Sequence, residues 1–373
     1  MVFRIAILGH FPVDKPPQGG VQAVIANLRD VYAARPDVEL HLIQHRQGVP
    51  YGAFARQGYV MHNVPARASR IIPNMARTSR LLAPILTQIQ PHAISSHQPE
   101  YALAGFDSGF PTLHTIHGFP ANEFWTRRGL FIRLATLYEV WLERRVLSRA
   151  SDLVAISDRV IQLYRHRTSA RFHRIDNPIS SLFFQPAPRP RPRHILLVGN
   201  LTPRKGVEIA LDALTRVRAR FPDATLDIIG AAVDATYAAR LREQARALGP
   251  RVRFLGPTDQ AGVRAALEQA QILLLTSHEE HAPMIVAEAM ATGRPVVATD
   301  VGALADMVAH GETGYLAPRG DAQAVAEALA RLLADPDHAA ALGREAARRA
   351  RERFHPQAVA DAYLRALRVA GGM

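Results

Sequence analysis

The chain has no cysteine among its 373 residues, which excludes disulfides, thiolate catalysis and thiolate-held metals. It is also almost without lysine: of 45 basic residues only Lys15 and Lys205 are not arginine. No uncharged apolar run reaches the roughly 18 residues that a membrane-spanning helix requires. The apolar part of "MVFRIAILGHFP" is too short for a secretory signal, so a cytoplasmic address is expected. The sixteen histidines show no HExxH or similarly clustered spacing, and no metal is expected. There is no short-period repeat.

What is present is an ordinary globular composition, 48% apolar and 21% charged, in a chain long enough for two cores. The net charge of +12 is uneven: residues 1–185 carry +9, "QPAPRPRPR" at 185–193 adds three arginines, and the remainder is neutral. "FRIAILG" reads as a buried first strand, and "GGVQAVIANLRDVYAAR" as a helix with apolar positions at helical spacing. "VELHLIQ", "PHAISSH", "PTLHTIHG" and "SDLVAIS" are further strands, separated by helical stretches such as 129–149. The pattern restarts after the Pro/Arg segment with "HILLVGN", a helix over 206–220, "ATLDIIG", "RVRFLG", "AQILLLTS", "RPVVATD" and "TGYLAP". Alternating strands and helices predict an α/β fold of two doubly wound, Rossmann-like domains with parallel sheets, facing one another across a cleft. The expected divisions are 1–184, a stiff linker at 185–193, 194–355, and a terminal helix within 356–373 that returns to the first domain.

Two loops carry the chemistry. "GNLTPRKGVEIALDAL" leaves a strand and opens a helix, placing Arg204 and Lys205 beside backbone N–H groups expected to be free at a positive helix end, where anions bind. A compact ammonium suits a tight phosphate pocket better than a planar guanidinium, but KG followed by Val207 does not fit the GxxxxGK[ST] phosphate loop. A solvated surface RK pair is the plain alternative. In "LLLTSHEEHAPMIVAEAMATGRPVVATD" a strand runs into an acidic loop, and Glu280 and Glu288 stand eight positions apart. Their carboxylates can accept bonds from sugar and ribose hydroxyls; equally, Glu280 could cap the helix and Glu288 could be an exposed helical residue. Lys15, in "GHFPVDKPPQGGVQ", is a candidate for phosphate or an acidic acceptor, with simple solvation the alternative.

"GNLTPRKG", "RVRFLG", Glu280 and Glu288 running into "EAMATGRPVVATDVGALADMV", and "GETGYLAP", with "GGVQ" and "HTIHG" earlier in order, resemble the retaining glycosyltransferases of family 4, of GT-B architecture, over nearly the whole chain. That resemblance implies hexosyl transfer from a nucleotide diphosphate sugar, UDP- or GDP-linked, to a hydroxyl acceptor on a glycan or lipid carrier. It also implies retention at the anomeric carbon, no metal and no further cofactor, and a place in bacterial surface polysaccharide or glycolipid synthesis. It assigns the donor diphosphate to Arg204 and Lys205, donor sugar hydroxyls to Glu280, and the ribose to Glu288. Gly19 and Gly20 would let the first loop approach the phosphates, His117 would lie by the reacting sugar, and Phe254 and Leu255 would meet the base. Two positions depart from the family pattern: Asn200 stands where relatives carry arginine, and His281, Ala282, Pro283 and Met284 replace G-F-G-L.

The basic first half suits an anionic partner. "WTRRGLFIRLATLYEVWLERRVLSR" interleaves Arg127, Arg128, Arg133, Arg144, Arg145 and Arg149 with Trp, Phe and Leu, and Arg67, Arg70, Arg77 and Arg80 form another basic stretch. A helix so composed can lie on an anionic membrane surface, or be a core helix with an arginine-rich outer face. Alternatives to the transferase are a nucleotide-sugar epimerase or a phosphorylase on the same fold. A nucleic-acid-binding protein is a third, which the charge permits but the absence of RRM, zinc-finger and helix-turn-helix signatures disfavours.

Overall fold

The computed structural model describes residues 2–11, 17, 19–66, 77–118 and 130–373, the last range without the side chains of 130–135. The chain divides into two units, residues 1–178 with 356–373, and residues 179–355.

In the first unit the strands are β1 (Phe3–Leu8), β2 (Val38–Arg46), β3 (Gly52–Arg56), β4 (Tyr59–Pro65), β5 (Ala93–Ser96), β6 (Thr112–Ile116), β7 (Asp152–Ala155) and β8 (Arg171–Arg174), in the order β3-β4-β2-β1-β5-β6-β7-β8. All neighbours are parallel except β3 with β4. This hairpin and the edge strand β8 are additions to the expected sheet. Helices α1 (Gly20–Ala33), α2 (Thr78–Ile89), α3 (Pro99–Asp107), α4 (Leu130–Arg149) and α5 (Asp158–Tyr164) connect the strands. Parallel strands are covered on both faces, and β1 accordingly buries Phe3, Ile5, Ala6, Ile7 and Leu8 in succession.

The second unit has β9 (His194–Val198), β10 (Thr225–Ile229), β11 (Val252–Gly256), β12 (Ile272–Leu275), β13 (Val296–Thr299) and β14 (Gly314–Ala317), all parallel, in the order β11-β10-β9-β12-β13-β14. Its helices are α6 (Val207–Arg218), α7 (Ala235–Arg246), α8 (Gln260–Gln269), α9 (Met284–Ala291), α10 (Leu304–Met307), α11 (Ala322–Ala334) and α12 (Pro336–Arg353). Carboxylates of Asp234, Asp259, Asp321 and Asp335 cap α7, α8, α11 and α12 by accepting from the third backbone amide beyond, which satisfies donors that a helix start leaves open.

The division falls at Pro178/Ile179, ahead of the expected linker, because residues 185–193 belong to the second unit. Phe183 and Phe184 sit in its core. The Arg264 guanidinium donates to the carbonyls of Phe183, Gln185 and Pro186 at 2.9, 2.9 and 3.0 Å, and Arg294 donates to that of Pro188 at 2.8 Å. The Pro/Arg segment is therefore clamped onto the sheet rather than spanning between units.

The last helix, α13 (Pro356–Ala370), returns to the first unit and buries Val359, Tyr363, Leu364 and Leu367 in the core with Val24, Leu28 and Tyr32 of α1. The buried Tyr32 hydroxyl donates to the Ala360 carbonyl at 2.9 Å. Removing it takes away a buried hydrogen bond, so Tyr32→Phe is expected to lower the unfolding free energy of the first unit by about 1 kcal/mol. Urea unfolding followed by far-UV circular dichroism checks this; an unchanged midpoint would mean that the bond contributes nothing.

Candidate active site

The second sheet reverses its strand order between β9 and β12. At such a point the two following connections leave in opposite directions and open a crevice beyond the carboxyl ends of the strands. The loop after β9 carries Arg204 and Lys205, and the loop after β12 carries Glu280, so the three residues meet there for a topological reason.

Their geometry is close. Lys205 Nζ lies 2.5 Å from Glu280 Oε1, which also accepts from Ser277 Oγ at 2.6 Å. Arg204 Nη1 donates to the Glu279 carbonyl at 2.9 Å and stands 3.5 Å from Glu280 Oε2, with half of its side chain exposed. Glu280 is only 5% exposed, so its charge is held by an ammonium, a hydroxyl and a guanidinium rather than by water. Two further bonds fasten the loops together. Thr276 Oγ1 donates to the Gly206 carbonyl at 2.8 Å, and the His278 amide to the Arg204 carbonyl at 2.8 Å.

Two glycines make this approach possible. Gly206 has φ +56°, and a Cβ there would stand 2.3 Å from the Thr276 carbonyl oxygen. Gly302 has φ +60°, and a Cβ there would meet the Glu280 carbonyl oxygen at 1.7 Å. Both positions require the left-handed conformation and the missing side chain. Neither glycine, nor Ser277 or Thr276, was singled out from the sequence, since none advertises its partner locally.

Glu288 lies on α9 and is 8% exposed, so it is not an exposed helical residue; nor does Glu280 cap that helix, whose N-cap is Pro283 without a side-chain bond. No partner engages the Glu288 carboxyl among the described residues, and burial alone pushes its pKa up to about 7. One expectation fails at α6: its first amide, Val207 N–H, is not free but donates to the Tyr237 hydroxyl at 3.1 Å, and that hydroxyl is in turn bonded to Glu208.

Residues 179–349 match the profile of the glycosyl transferases group 1, and residues 18–181 that of glycosyltransferase family 4. A glycogen synthase of Mycobacterium tuberculosis is 31% identical over 283 residues, covering 73% of this chain and 67% of that protein. The chain belongs to the family 4, group 1 glycosyltransferases. Among solved structures, sucrose-phosphate synthase from Thermosynechococcus elongatus superimposes with TM-score 0.78 at 21% identity, covering 98% of each chain. Anabaena HepE in complex with UDP-glucose does so with TM-score 0.73 at 20% identity, covering 99% of this chain and 100% of that one. These neighbours establish the GT-B fold of the glycosyltransferase.

Other motif positions of the glycosyltransferase are spread over both units. Asn200 is exposed, and its Oδ1 accepts from the Ala231 amide at 3.2 Å. Phe254 is half-buried on the edge strand β11 with the Arg242 guanidinium 5.8 Å over its ring, while Leu255 is half exposed. His281 and Ala282 are partly exposed, Pro283 is buried, and Met284 packs against the core at the start of α9. Gly19 and Gly20 open α1 in the first unit, exposed, with space around a Cβ at Gly19. Lys15, with Arg67, Arg70, Arg127 and Arg128, lies outside the described residues, and Arg133 falls where side chains are not described.

His117 follows β6 and is only partly exposed, its Nε2 2.9 Å from Nδ1 of the buried His97, which follows β5; the ring planes lie 26° apart with centroids at 5.2 Å. Burial and the neighbouring His114 lower the pKa of His117 to about 3, and burial holds His97 well below the ordinary range. Both rings are thus neutral near pH 7, one donating and one accepting. His97 was missed by the sequence reading, although it ends a strand just as His117 does.

Glu288 gives this glycosyltransferase a definite pH signature. Its pKa rises from 4.5 unfolded to about 7 folded, so between those values the native state binds the extra proton. Its contribution is present in full below pH 4.5 and is lost as pH rises through about 7. Glu288→Gln is therefore expected to be more stable than the wild type at pH 8, by about 2–3 kcal/mol, and equally stable at pH 4.5. Paired denaturant titrations at the two pH values measure this; a difference that does not vary with pH would contradict it.

Proposed function

We propose that this glycosyltransferase moves a hexosyl group from a nucleotide diphosphate sugar, UDP- or GDP-linked, to a hydroxyl of a glycan or lipid-linked acceptor. In this reading the anomeric configuration is retained, no metal or other cofactor takes part, and the setting is surface polysaccharide or glycolipid synthesis. The observation that carries it is the Lys205–Glu280 contact of 2.5 Å at the strand-order reversal, with Arg204 beside it. As the anomeric C–O bond breaks, negative charge grows on the diphosphate, and fixed cations stabilise it without reorganising. Lys205 and Arg204 supply that charge. Glu280 accepts from a hydroxyl of the transferring sugar, and the buried carboxyl of Glu288 serves the ribose hydroxyls. The acceptor oxygen bonds to the anomeric carbon on the face the diphosphate leaves, and its proton passes to a leaving phosphate oxygen. His117, neutral, offers a hydrogen bond beside the reacting sugar rather than a charge. HepE, solved in complex with UDP-glucose, supports a nucleotide sugar as donor class.

The second part of the proposal concerns location. On α4, Leu137 and Trp141 are 51% and 46% exposed, and Arg144 and Arg145 are exposed beside them. Trp141 stacks on Tyr138 and lies under the Arg145 guanidinium at 5.1 Å, while Leu142, Val146 and Leu147 are buried. An exposed indole flanked by cations suits the interface of an anionic bilayer. The protein is thus read as cytoplasmic and peripheral on the inner face of the membrane. No described helix is long and apolar enough to cross one.

A panel of UDP-, GDP- and ADP-sugars in thermal-shift assays is expected to raise the melting temperature with a UDP- or GDP-sugar, since a ligand of the folded state stabilises it. Lys205→Ala and Glu280→Ala are each expected to stay folded and to lose roughly 100-fold or more in transfer. Nucleoside diphosphate should appear only when acceptor is supplied, as neither an epimerase nor a phosphorylase requires. Full activity in either variant would remove the site assignment.

Vesicles of phosphatidylglycerol should sediment the wild-type chain at low salt, and Trp141→Ser with Arg145→Ser should sediment less. Equal sedimentation with neutral and anionic vesicles would remove the membrane reading.

A further inference from the structure

At the opposite end of the strands of the second sheet from Lys205 and Glu280 lies a pocket of about 630 Å³. Its floor is formed by Gln271 and Pro295, the residues that lead into β12 and β13, so it opens at the amino ends of the strands. Three arginines line it, Arg189 and Arg344 with exposed side chains, and Arg294, which is 5% exposed. Nε of Arg294 donates to the Leu267 carbonyl, and Nη2 to those of Pro188 and Glu268, at 2.8–3.1 Å. Its Nη1 has no partner among the described residues, and neither Arg189 nor Arg344 pairs there with a carboxylate. Glu268, whose charge acts on Arg294, is engaged by Arg264 Nε at 2.8 Å. Burial and that second guanidinium lower the pKa of Arg294 to about 10, against the opposing pull of the Glu268 carboxylate.

The sole acidic residue of the lining is Asp337, in the first turn of the 18-residue helix α12, whose start is already capped by Asp335. Three guanidinium groups against one carboxylate leave about two positive charges, which a phosphate ester matches near neutral pH because its second pKa, roughly 6, leaves it mostly divalent by pH 7. A divalent anion can take bidentate bonds from planar guanidinium forks, as Arg favours. Pro188, Pro190, Pro295 and Ala340 supply an apolar wall beside that charge, suited to the body of an ester rather than to a bare ion.

We propose that this pocket binds a small phosphate monoester, at a site separate from the transfer site and independent of how that site is read. The probe is phenyl phosphate, titrated calorimetrically at low ionic strength into the full chain carrying Lys205→Ala, which weakens anion binding at the transfer site. One site is expected, with phenyl phosphate roughly threefold or more tighter than inorganic phosphate because the wall covers its ring. Arg189→Ala with Arg344→Ala should weaken it about tenfold while the melting temperature without ligand stays unchanged. Should the double variant fold poorly, Arg344→Gln alone should weaken binding severalfold. With Lys205 intact, the double substitution should leave sugar transfer in phosphate-free buffer at the wild-type rate. Binding indifferent to both arginines, or no binding in the Lys205→Ala chain, overturns the site; equal affinity for inorganic phosphate overturns its assignment to an ester.

Discussion

The candidate site of the second unit depends on one contact, the ion pair between Lys205 and Glu280. Moving two charges out of water costs more than their mutual attraction returns unless each is also hydrogen-bonded, and a buried pair is therefore weak evidence of stabilisation. Here the carboxylate gains Ser277 Oγ at 2.6 Å and the flank of Arg204, which lowers that cost. The pair ties the connection after β9 to the connection after β12, and its position is fixed at the backbone because Gly302 lets the chain pass against the Glu280 carbonyl. Losing either partner leaves the other charge in a poorly solvated place, so the two residues are coupled whatever they bind. A surface lysine would have carried no such constraint.

The parallel sheets explain why this contact sits where it does. Strand interiors such as "ILLL" of β12 are buried throughout and have no capacity for chemistry. Polar function is displaced to the strand ends, and the two ends are used differently. Beyond the carboxyl ends lie the candidate site groups Glu280, Glu288, and in the first unit His97 and His117. Before the amino ends of β12 and β13 lies Arg294, bonded to backbone carbonyls, which cannot titrate and so fix structure without responding to pH.

Much of this was legible in the sequence, and the reasons differ by element. The buried strands from "FRIAILG" to "TGYLAP" announced themselves because continuous apolar runs of four to six residues are what a doubly covered sheet requires. The lysine at 205 stood out because, Lys15 apart, every other basic residue of the chain is arginine. The hairpin of β3 and β4 was missed: Gly52–Arg56 is mostly exposed, so no apolar run marks it, and its pairing with Tyr59–Pro65 becomes visible only when β4 joins β2. The linker was misplaced for a related reason. Proline and arginine read locally as a stiff, solvated spacer, whereas the bonds that decide its place come from Arg264 and Arg294, some 80 to 100 positions away.

The same limit governs the free amide expected at α6. Sequence can say that a helix begins after Gly206, but not that Tyr237, 30 residues on, delivers its hydroxyl to the first N–H. With that donor occupied, the helix end contributes less to anion binding than its dipole alone suggests, and more of the load falls on the side chains of Lys205 and Arg204. This sharpens why a charge pair occupies the loop. Glu280 holds the ammonium in place before any anion arrives, so the cation meets it already ordered, and the entropy of fixing a long flexible side chain is met during folding rather than during binding. Glu288 follows the complementary logic: a buried carboxyl with no partner among the described residues destabilises the fold near neutral pH, a cost that a ligand supplying its hydrogen bonds would offset.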